Sequence, residues 1–139
     1  MQAAARLLVG THDFAAFQAK GGRVTTVRTI FDCHVSQDAA TGRVSITCEG
    51  DGFLYKMVRI IAGTLLKVSM RLAETSVVTD MIKSCHRSLA GPPLPARYLT
   101  LEHVEYDLEH PKHMHQGASG TLSQSVQERK RERERTPTP

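Results

Sequence analysis

Hydrophobic positions recur at helical spacing from Phe53 to about Arg71, the most strongly patterned stretch of the chain. Successive side chains on a helix are turned by about 100°, so the apolar residues of this stretch gather on one stripe. They are Leu54, Met57, Val58, Ile61, Leu65 and Val68. Arg59 falls off that stripe and at helical spacing shares a face with Tyr55 and Lys56. Gly63, one turn further on, leaves a gap there, so this face is a candidate anion-binding surface.

The rest of the pattern predicts a small mixed domain. Its predicted elements are helices over residues 2–9 and Glu74–His86 and strands over Val24–Val35, Val44–Cys48 and Tyr98–Tyr106. Turn-forming residues 38–42 join the first two strands into a hairpin, and the proline cluster after residue 91 ends the second long helix. The order helix, strand, strand, helix, helix, strand predicts an α+β fold, an antiparallel sheet with helices packed on one face.

The alternation along the first strand predicts which side chains share a face of the sheet. Val27, Thr29, Phe31 and Cys33 fall on one side, and Arg28, Ile30, Asp32 and His34 fall on the other. Upstream of this strand, His12 and Asp13 are adjacent residues at the start of a short helix, where capping by Asp13 is a sufficient explanation. We therefore interpret this pair as structural.

Composition separates a domain from a tail. The chain has 139 residues, a formal net charge of +4 and 5% aromatic residues with no tryptophan, so its core depends on aliphatic side chains. After residue 107 the sequence turns polar and then alternates in charge, which is typical of disorder. We predict a folded domain over residues 1–107 and a disordered charged tail over residues 108–139.

Three cysteines, Cys33, Cys48 and Cys85, form an odd set without paired spacing, and no secretory leader pattern is recognisable. We therefore expect an intracellular protein with reduced thiols. No Cys-x-x-Cys unit occurs, so a metal site is not expected. No apolar run approaches the roughly 20 residues that cross a bilayer, so no membrane association is expected.

Three segments carry a resemblance to a known family. Residues 50–68 read Gly-Asp-Gly-Phe-Leu-Tyr-Lys-Met-Val-Arg-Ile-Ile-Ala-Gly-Thr-Leu-Leu-Lys-Val, residues 8–17 contain Gly-Thr-His-Asp-Phe, and residues 90–106 contain Pro-Ala followed by Leu-Thr-Leu-Glu-His-Val-Glu-Tyr. In wording, order and spacing they resemble the C-terminal half of the TruA-type tRNA pseudouridine synthases. The resemblance covers about residues 2–107.

The resemblance implies a fold, a reaction and site residues. It implies half of a pseudouridine synthase fold that acts on tRNA, in which an aspartate attacks the nucleotide and uridine becomes its C-glycosidic isomer without metal or cofactor. Arg59 matches the arginine that lies beside the catalytic aspartate and orients the flipped nucleotide. Tyr55 and Lys56 then become candidate substrate-binding residues, by stacking and by charge. Without the resemblance, a solvated helix face would be the favoured interpretation of Arg59.

The family's Gly-Arg-Thr-Asp-x-Gly-Val-His segment, which carries the nucleophile, is not spelled anywhere in this sequence. We therefore expect a fragment without the catalytic aspartate, inactive alone, whose partners are tRNA and a missing N-terminal half or a second copy. A truncated gene model, an isoform and a degenerate copy all remain open. The alternative function is a non-catalytic RNA-binding or partner-binding module that kept the scaffold, and a third is an α+β interaction protein unrelated to RNA.

Overall fold

The computed structural model describes residues 1–106, and chain contacts divide it into Met1–Leu101 and the residues from Glu102 onward. The first unit contains helices α1 (Gln2–Arg6), α2 (Met57–Ser69) and α3 (Val77–Ser84), strands β1 (Gly10–Asp13), β2 (Val27–Gln37) and β3 (Val44–Gly50), and 3-10 turns at Ala15–Phe17, Arg87–Leu89 and Ala96–Tyr98. Residues 102–106 form no regular secondary structure. The tail predicted over residues 108–139 lies outside the described residues.

The predicted hairpin is confirmed, because β2 and β3 pair antiparallel with Gln37 opposite Val44. Asp38 organises the connection: its carboxylate accepts hydrogen bonds from the backbone N–H of Ala40 at 2.8 Å and the hydroxyl of Thr41 at 2.8 Å. Gly42 has a φ of 69°, a left-handed conformation that glycine adopts without steric cost. Local turn chemistry therefore fixes the register of this hairpin.

The third strand of the sheet is β1, giving the strand order β1-β2-β3 with Thr11 opposite Thr29. The prediction that Tyr98–Tyr106 forms a strand is wrong: a 3-10 turn ends at Tyr98, and the residues from 99 to 106 have no strand structure. A strand exists only where a neighbouring edge accepts its backbone hydrogen bonds. Within residues 1–106 that segment pairs with no edge, although its apolar alternation is typical of a strand.

A β-bulge changes which side chains of β2 face the core. The register shifts between Ile30 and Asp32, leaving Phe31 as the extra residue. As a result Ile30 and Cys33 are both 1% exposed, and Phe31 is 54% exposed. The predicted division of this strand into two alternating faces was therefore wrong beyond Phe31. The α+β fold itself is confirmed, with the buried side of the sheet packed against the helices.

All three helices are shorter than predicted. Helix α2 begins at Met57 rather than Phe53, because Lys56 before it adopts a left-handed conformation with φ 60°. Helix α3 ends before Cys85, which has φ 56°. The buried residues of α2 are Met57, Ile60, Ile61, Gly63, Thr64 and Leu65. The stripe therefore lies nearer to Ile60 and Thr64 than predicted.

The core is largely aliphatic, as composition indicated. It is built from α1, the 3-10 turn after β1, the inner face of the sheet and helices α2 and α3. Two aromatic rings lie at its centre, Phe14 and Phe17, fully buried with their centroids 5.6 Å apart in an edge-to-face arrangement. None of the helices within residues 1–106 has the length and apolar character needed to span a membrane.

Candidate functional site

Tyr55 and Lys56 lie in the turn that leads into α2, not on the helix itself. The carbonyl of Lys56 accepts the first helical bond, from Ile60 N–H at 3.0 Å, and the carbonyl of Tyr55 accepts a bond from Ala19 N–H at 3.1 Å. The Tyr55 ring is 54% exposed, with the Lys56 ammonium 5.0 Å from its centroid. The two predicted residues therefore form one exposed aromatic and cationic surface, although not through helical spacing.

Arg59 lies in the first turn of α2 and is half-buried. Its Nε donates a hydrogen bond of 2.6 Å to the carbonyl of Leu94, and Leu94 N–H donates one of 3.1 Å to the carbonyl of Arg59. No ion pair joins Arg59 to an acidic side chain among residues 1–106. One edge of the guanidinium is therefore fixed by the loop, while its charge is not neutralised by an acidic side chain of this part of the chain.

The gap predicted beside Gly63 is filled. A Cβ on Gly63 would overlap the carbonyl oxygen of Pro92 and lie 3.0 Å from its carbonyl carbon, so the loop backbone rests directly on the helix. Gly91 N–H donates a bond of 3.0 Å to the hydroxyl of Thr64. The expected open anion-binding face is wrong at this position, since the chain's own loop occupies it.

The loop runs along α2 in the opposite direction to the helix. The Lys67 ammonium lies 3.5 Å from the carbonyl of Leu89. One turn earlier in the helix, Gly63 packs against the backbone of Gly91. Another turn earlier, Arg59 is hydrogen-bonded to Leu94. The hydroxyl of Thr64 both accepts from Gly91 and donates to the Ile60 carbonyl at 2.8 Å. Attachment on three successive turns makes the loop a support for the Arg59 side chain.

An open depression of about 360 Å³ lies where the start of β2 meets the end of β3. Its lining consists of Arg23, Val27, Arg28, Asp51, Gly52 and Phe53. Arg28 Nη1 donates 2.6 Å to the Val27 carbonyl, and Asp51 accepts a bond of 2.9 Å from Thr29 N–H. Sequence reasoning missed these two arginines. The sequence signal was that Arg23 and Arg28 flank the threonine pair that leads into β2. Their proximity to Gly52, after β3, appears only in the structure.

The structural interpretation of His12 and Asp13 is confirmed. The Asp13 carboxylate accepts hydrogen bonds from the Thr26 hydroxyl at 2.6 Å and Ala15 N–H at 2.9 Å, and these two bonds lower its pKa below the ordinary value. His12 Nε2 lies 3.1 Å from the carbonyl of Val9. Asp13 therefore holds the turn that follows β1, and His12 contacts the backbone just before that strand.

The cysteine and histidine side chains within residues 1–106 do not assemble a site of three or more ligands that could hold a metal ion. Two of the cysteines nevertheless meet: Cys33 and Cys48 face each other across β2 and β3 with 3.4 Å between their sulfur atoms. Cys85 is exposed and lies at the end of α3.

The described residues therefore form an α+β domain that presents a supported arginine, an exposed tyrosine and further cationic side chains. In a comparison with known protein families, the model of the family described as tRNA pseudouridine synthase matches residues 4–107. The chain belongs to the tRNA pseudouridine synthase family.

Several bacterial proteins are similar to this chain. It is 44% identical over 108 residues to a tRNA pseudouridine synthase A of Streptococcus thermophilus, covering 77% of this chain and 44% of that protein. A protein of Clostridium perfringens named tRNA pseudouridine synthase A 2 is 43% identical over 107 residues, 76% of this chain and 43% of the relative. The protein of Ruminiclostridium cellulolyticum is 45% identical over 109 residues, 76% and 43% respectively. The chain thus spans less than half the length of the curated relatives it matches.

Proposed function

We propose that this chain is the C-terminal part of a TruA-type tRNA pseudouridine synthase, which isomerises uridine in tRNA without metal or cofactor. Family membership over residues 4–107 supports the reaction class. The observation that carries the proposal is Arg59, whose Nε is fixed by the Leu94 carbonyl and whose charge no acidic side chain of residues 1–106 neutralises. An intracellular location follows from a tRNA substrate.

The geometry of Arg59 suits an electrostatic role. Because Nε is bonded to the loop, the planar guanidinium cannot rotate freely, and no acidic side chain of residues 1–106 pairs with its two terminal nitrogens. A fixed cation next to a carboxylate lowers the pKa of that carboxylate and keeps it ionised. Arg59 is therefore proposed to hold the nucleophilic aspartate and to position the nucleotide that it attacks.

The surface around the start of α2 supports a role in RNA binding. Tyr55 offers an exposed ring for stacking with an unpaired base, and Lys56 supplies a charge beside it. Arg23 and Arg28 line the depression together with Phe53, which pairs phosphate-binding cations with a second aromatic ring. We propose that structured RNA binds along the surface formed by these side chains, and that the target uridine leaves its base stack before reaction.

The nucleophile is proposed to come from another segment. Asp13 is engaged by Thr26 and Ala15, and Asp51 is engaged by Thr29 N–H, so both serve local structure. Asp32 is paired with His34 at 2.7 Å on the exposed strand face. The proposed reaction proceeds by attack of an aspartate from an N-terminal half, cleavage of the N-glycosidic bond, rotation of the base and reattachment through carbon.

The decisive experiment adds that half. The 139-residue chain is incubated with unmodified tRNA, alone and together with the N-terminal half of a bacterial relative that contains the Gly-Arg-Thr-Asp segment, and pseudouridine is mapped. We expect no product from the chain alone and product from the combination. Robust turnover by the chain alone would refute the missing-nucleophile argument, and no turnover by a folded, assembled combination would refute its competence for catalysis.

Variants of the combined enzyme test Arg59. Arg59→Ala is expected to reduce turnover by about 10²–10³-fold or more, on the scale of removing a preorganised electrostatic donor. Arg59→Lys keeps the charge but loses the planar, bonded geometry and should recover only part of the rate. Arg43→Ala, an exposed arginine outside α2, is the matched control and should leave turnover unchanged. Circular dichroism at the assay temperature separates loss of catalysis from loss of the fold.

The alternative is a non-catalytic RNA-binding module. The open depression with Arg23 and Arg28 favours it, because that surface requires no aspartate from elsewhere. Such a module predicts tRNA binding that weakens steeply with salt, since each phosphate contact releases a counterion. Salt-dependent binding together with inactivity in the presence of the N-terminal half would favour this alternative over the enzyme. A lack of tRNA affinity at physiological salt would argue against both.

A further inference from the structure

We propose that Cys33 and Cys48 are a redox modification site, a thiol pair that a peroxide oxidises to a cross-strand disulfide. The two residues are direct partners in the antiparallel register of β2 and β3. Their sulfur atoms are 3.4 Å apart, close enough for one thiol to hydrogen-bond to the other. This site is independent of the proposed catalytic role of Arg59.

The strand geometry already satisfies the backbone requirement of a disulfide. Directly opposed residues of an antiparallel pair have Cα atoms about 4.5–5.5 Å apart, and disulfides span Cα separations of about 4.4–6.8 Å. The neighbouring pairs, Asp32 with Glu49 and His34 with Thr47, are in register on both sides. Closing the sulfur separation from 3.4 Å to a bond of about 2.05 Å therefore needs side-chain rotation and no strand movement.

The two thiols differ in character, which assigns their roles. The hydrogen bond from Cys33 lowers the pKa of the Cys48 thiol, although burial and the charge of Asp32 act in the opposite direction. The same bond and burial raise the pKa of the Cys33 thiol. Cys33 is 1% exposed and Cys48 is less enclosed. Because Cys48 is the less buried of the two thiols, it is the one that the oxidant reaches first.

The chemistry balances with one equivalent of hydrogen peroxide. The Cys48 thiol loses its proton, its thiolate attacks a peroxide oxygen, and the O–O bond breaks. Cys48 becomes a sulfenic acid, and the hydroxide that leaves takes up the released proton to become water. The sulfur of Cys33, losing its proton, then attacks the Cys48 sulfur, the S–O bond breaks, and a second water leaves. Two thiols are oxidised by two electrons, hydrogen peroxide is reduced to two waters, and a thiol reductant reverses the disulfide.

Cys85 serves as an internal reference. It is exposed at the end of α3, its Sγ contacts the carbonyl of Ile82 at 3.8 Å, and it has no cysteine partner among the described residues. Burial and the nearby Asp13 raise its pKa. Exposure alone therefore favours oxidation at Cys85, whereas strand pairing favours a bond between Cys33 and Cys48.

Peptide mapping tests the proposal directly. The reduced full chain is treated with one equivalent of hydrogen peroxide, alkylated and digested with trypsin, which separates the three cysteines onto residues 29–43, 44–56 and 84–87. We expect peptide 29–43 disulfide-linked to 44–56, with 84–87 still alkylated, and release by a thiol reductant. Links through 84–87, or oxidised thiols without a 29–43 to 44–56 link, would overturn the proposal.

Two controls keep the result interpretable. Cys85→Ser should leave the link intact, and Cys48→Ser should abolish it while Cys33 stays reduced in its buried position. Because substitution of Cys48 could disturb the hairpin, the wild-type chain is also oxidised in urea. Native strands hold the thiols in place, so the link should form at least about tenfold faster in the folded chain. Equal rates in the folded and unfolded chain would refute control by the strand register.

Discussion

Replacing Gly63 by alanine tests whether the loop of residues 89–94 packs on α2 and supports Arg59. The added methyl group would overlap the Pro92 carbonyl and come within 3.0 Å of its carbon. Both contacts are with backbone atoms, so no side chain can rotate to relieve them. The helix and the loop must separate at this crossing or remain overpacked.

The size of the effect follows from these two responses. An overpacked contact typically costs about 1–3 kcal/mol. If the loop lifts instead, it loses the bond between Gly91 and Thr64 and the two bonds between Arg59 and Leu94, each worth about 1 kcal/mol. In the opposite direction, alanine in a helix interior stabilises the fold by about 1 kcal/mol relative to glycine. Because the overlap is with backbone atoms, the upper part of the overpacking range applies, about 2–3 kcal/mol. With the helix gain of about 1 kcal/mol subtracted, we expect Gly63→Ala to lower the free energy of unfolding by about 1–2 kcal/mol.

Urea unfolding followed by circular dichroism measures this change. For a domain of this size the midpoint should fall by about 1 M. Gly52→Ala is the matched control, because a Cβ there meets only the Nε of Arg28 at an ordinary 3.9 Å. Substitution at Gly52 should leave stability unchanged or raise it slightly by restricting the unfolded chain.

The opposite result has a clear meaning. If Gly63→Ala were as stable as the wild type, or more stable by the helix-propensity gain, the loop would not lie against this turn of α2. Gly91→Ala tests the same contact from the loop side, because the added Cβ would lie 2.6 Å from the backbone nitrogen of Thr64. The double variant should lose less than the sum of the two single losses, because one separation relieves both clashes.

Three further predictions concern RNA binding and pH. Tyr55→Ala should weaken tRNA binding by about 1–3 kcal/mol in a filter-binding titration, with Tyr55→Phe retaining affinity because the stacking ring remains; equal losses would contradict stacking. Arg28→Gln should lower the slope of log affinity against log salt by about 1, whereas the same change at Arg43 should leave it unaltered. Asp13 has a pKa below its ordinary value of 3.8, so its ionised form stabilises the fold above that pH and the contribution disappears as pH falls through the folded-state pKa. Asp13→Asn should therefore lose stability at neutral pH and flatten the acid limb of a pH-dependent melting profile; an unchanged acid limb would contradict this assignment.

The elements predicted correctly are those that local chemistry specifies. Alternation along β2 and β3 and the side-chain bonds of Asp38 determine the hairpin within a short window of sequence. The apolar period likewise determines that α2 is a helix, although its buried side lies nearer to Ile60 and Thr64 than the period indicates. Its start was misplaced because Lys56 takes a left-handed conformation, which is rare for a residue with a side chain and has no reliable sequence signal.

The candidate site was predicted in part. The sequence placed Arg59 off the apolar stripe, and the structure places it half-buried at the start of α2. Periodicity within one helix carries no information about a segment thirty residues later, so the bond to Leu94 could not be anticipated. The cationic depression was missed for the same reason, since Arg28 and Phe53 approach each other only through the pairing of β2 with β3.

The sequence by itself determined the family, the hairpin, the amphipathic character of α2 and the position of Arg59 off the apolar stripe. Each of these features is encoded in short continuous segments of the chain. Tertiary structure decided that β1 completes the sheet, that a loop covers Gly63, and that Cys33 faces Cys48. These outcomes depend on which distant edges and surfaces meet once the chain closes on itself. Backbone groups taken from water must find partners, and only the assembled fold decides which partners are within reach.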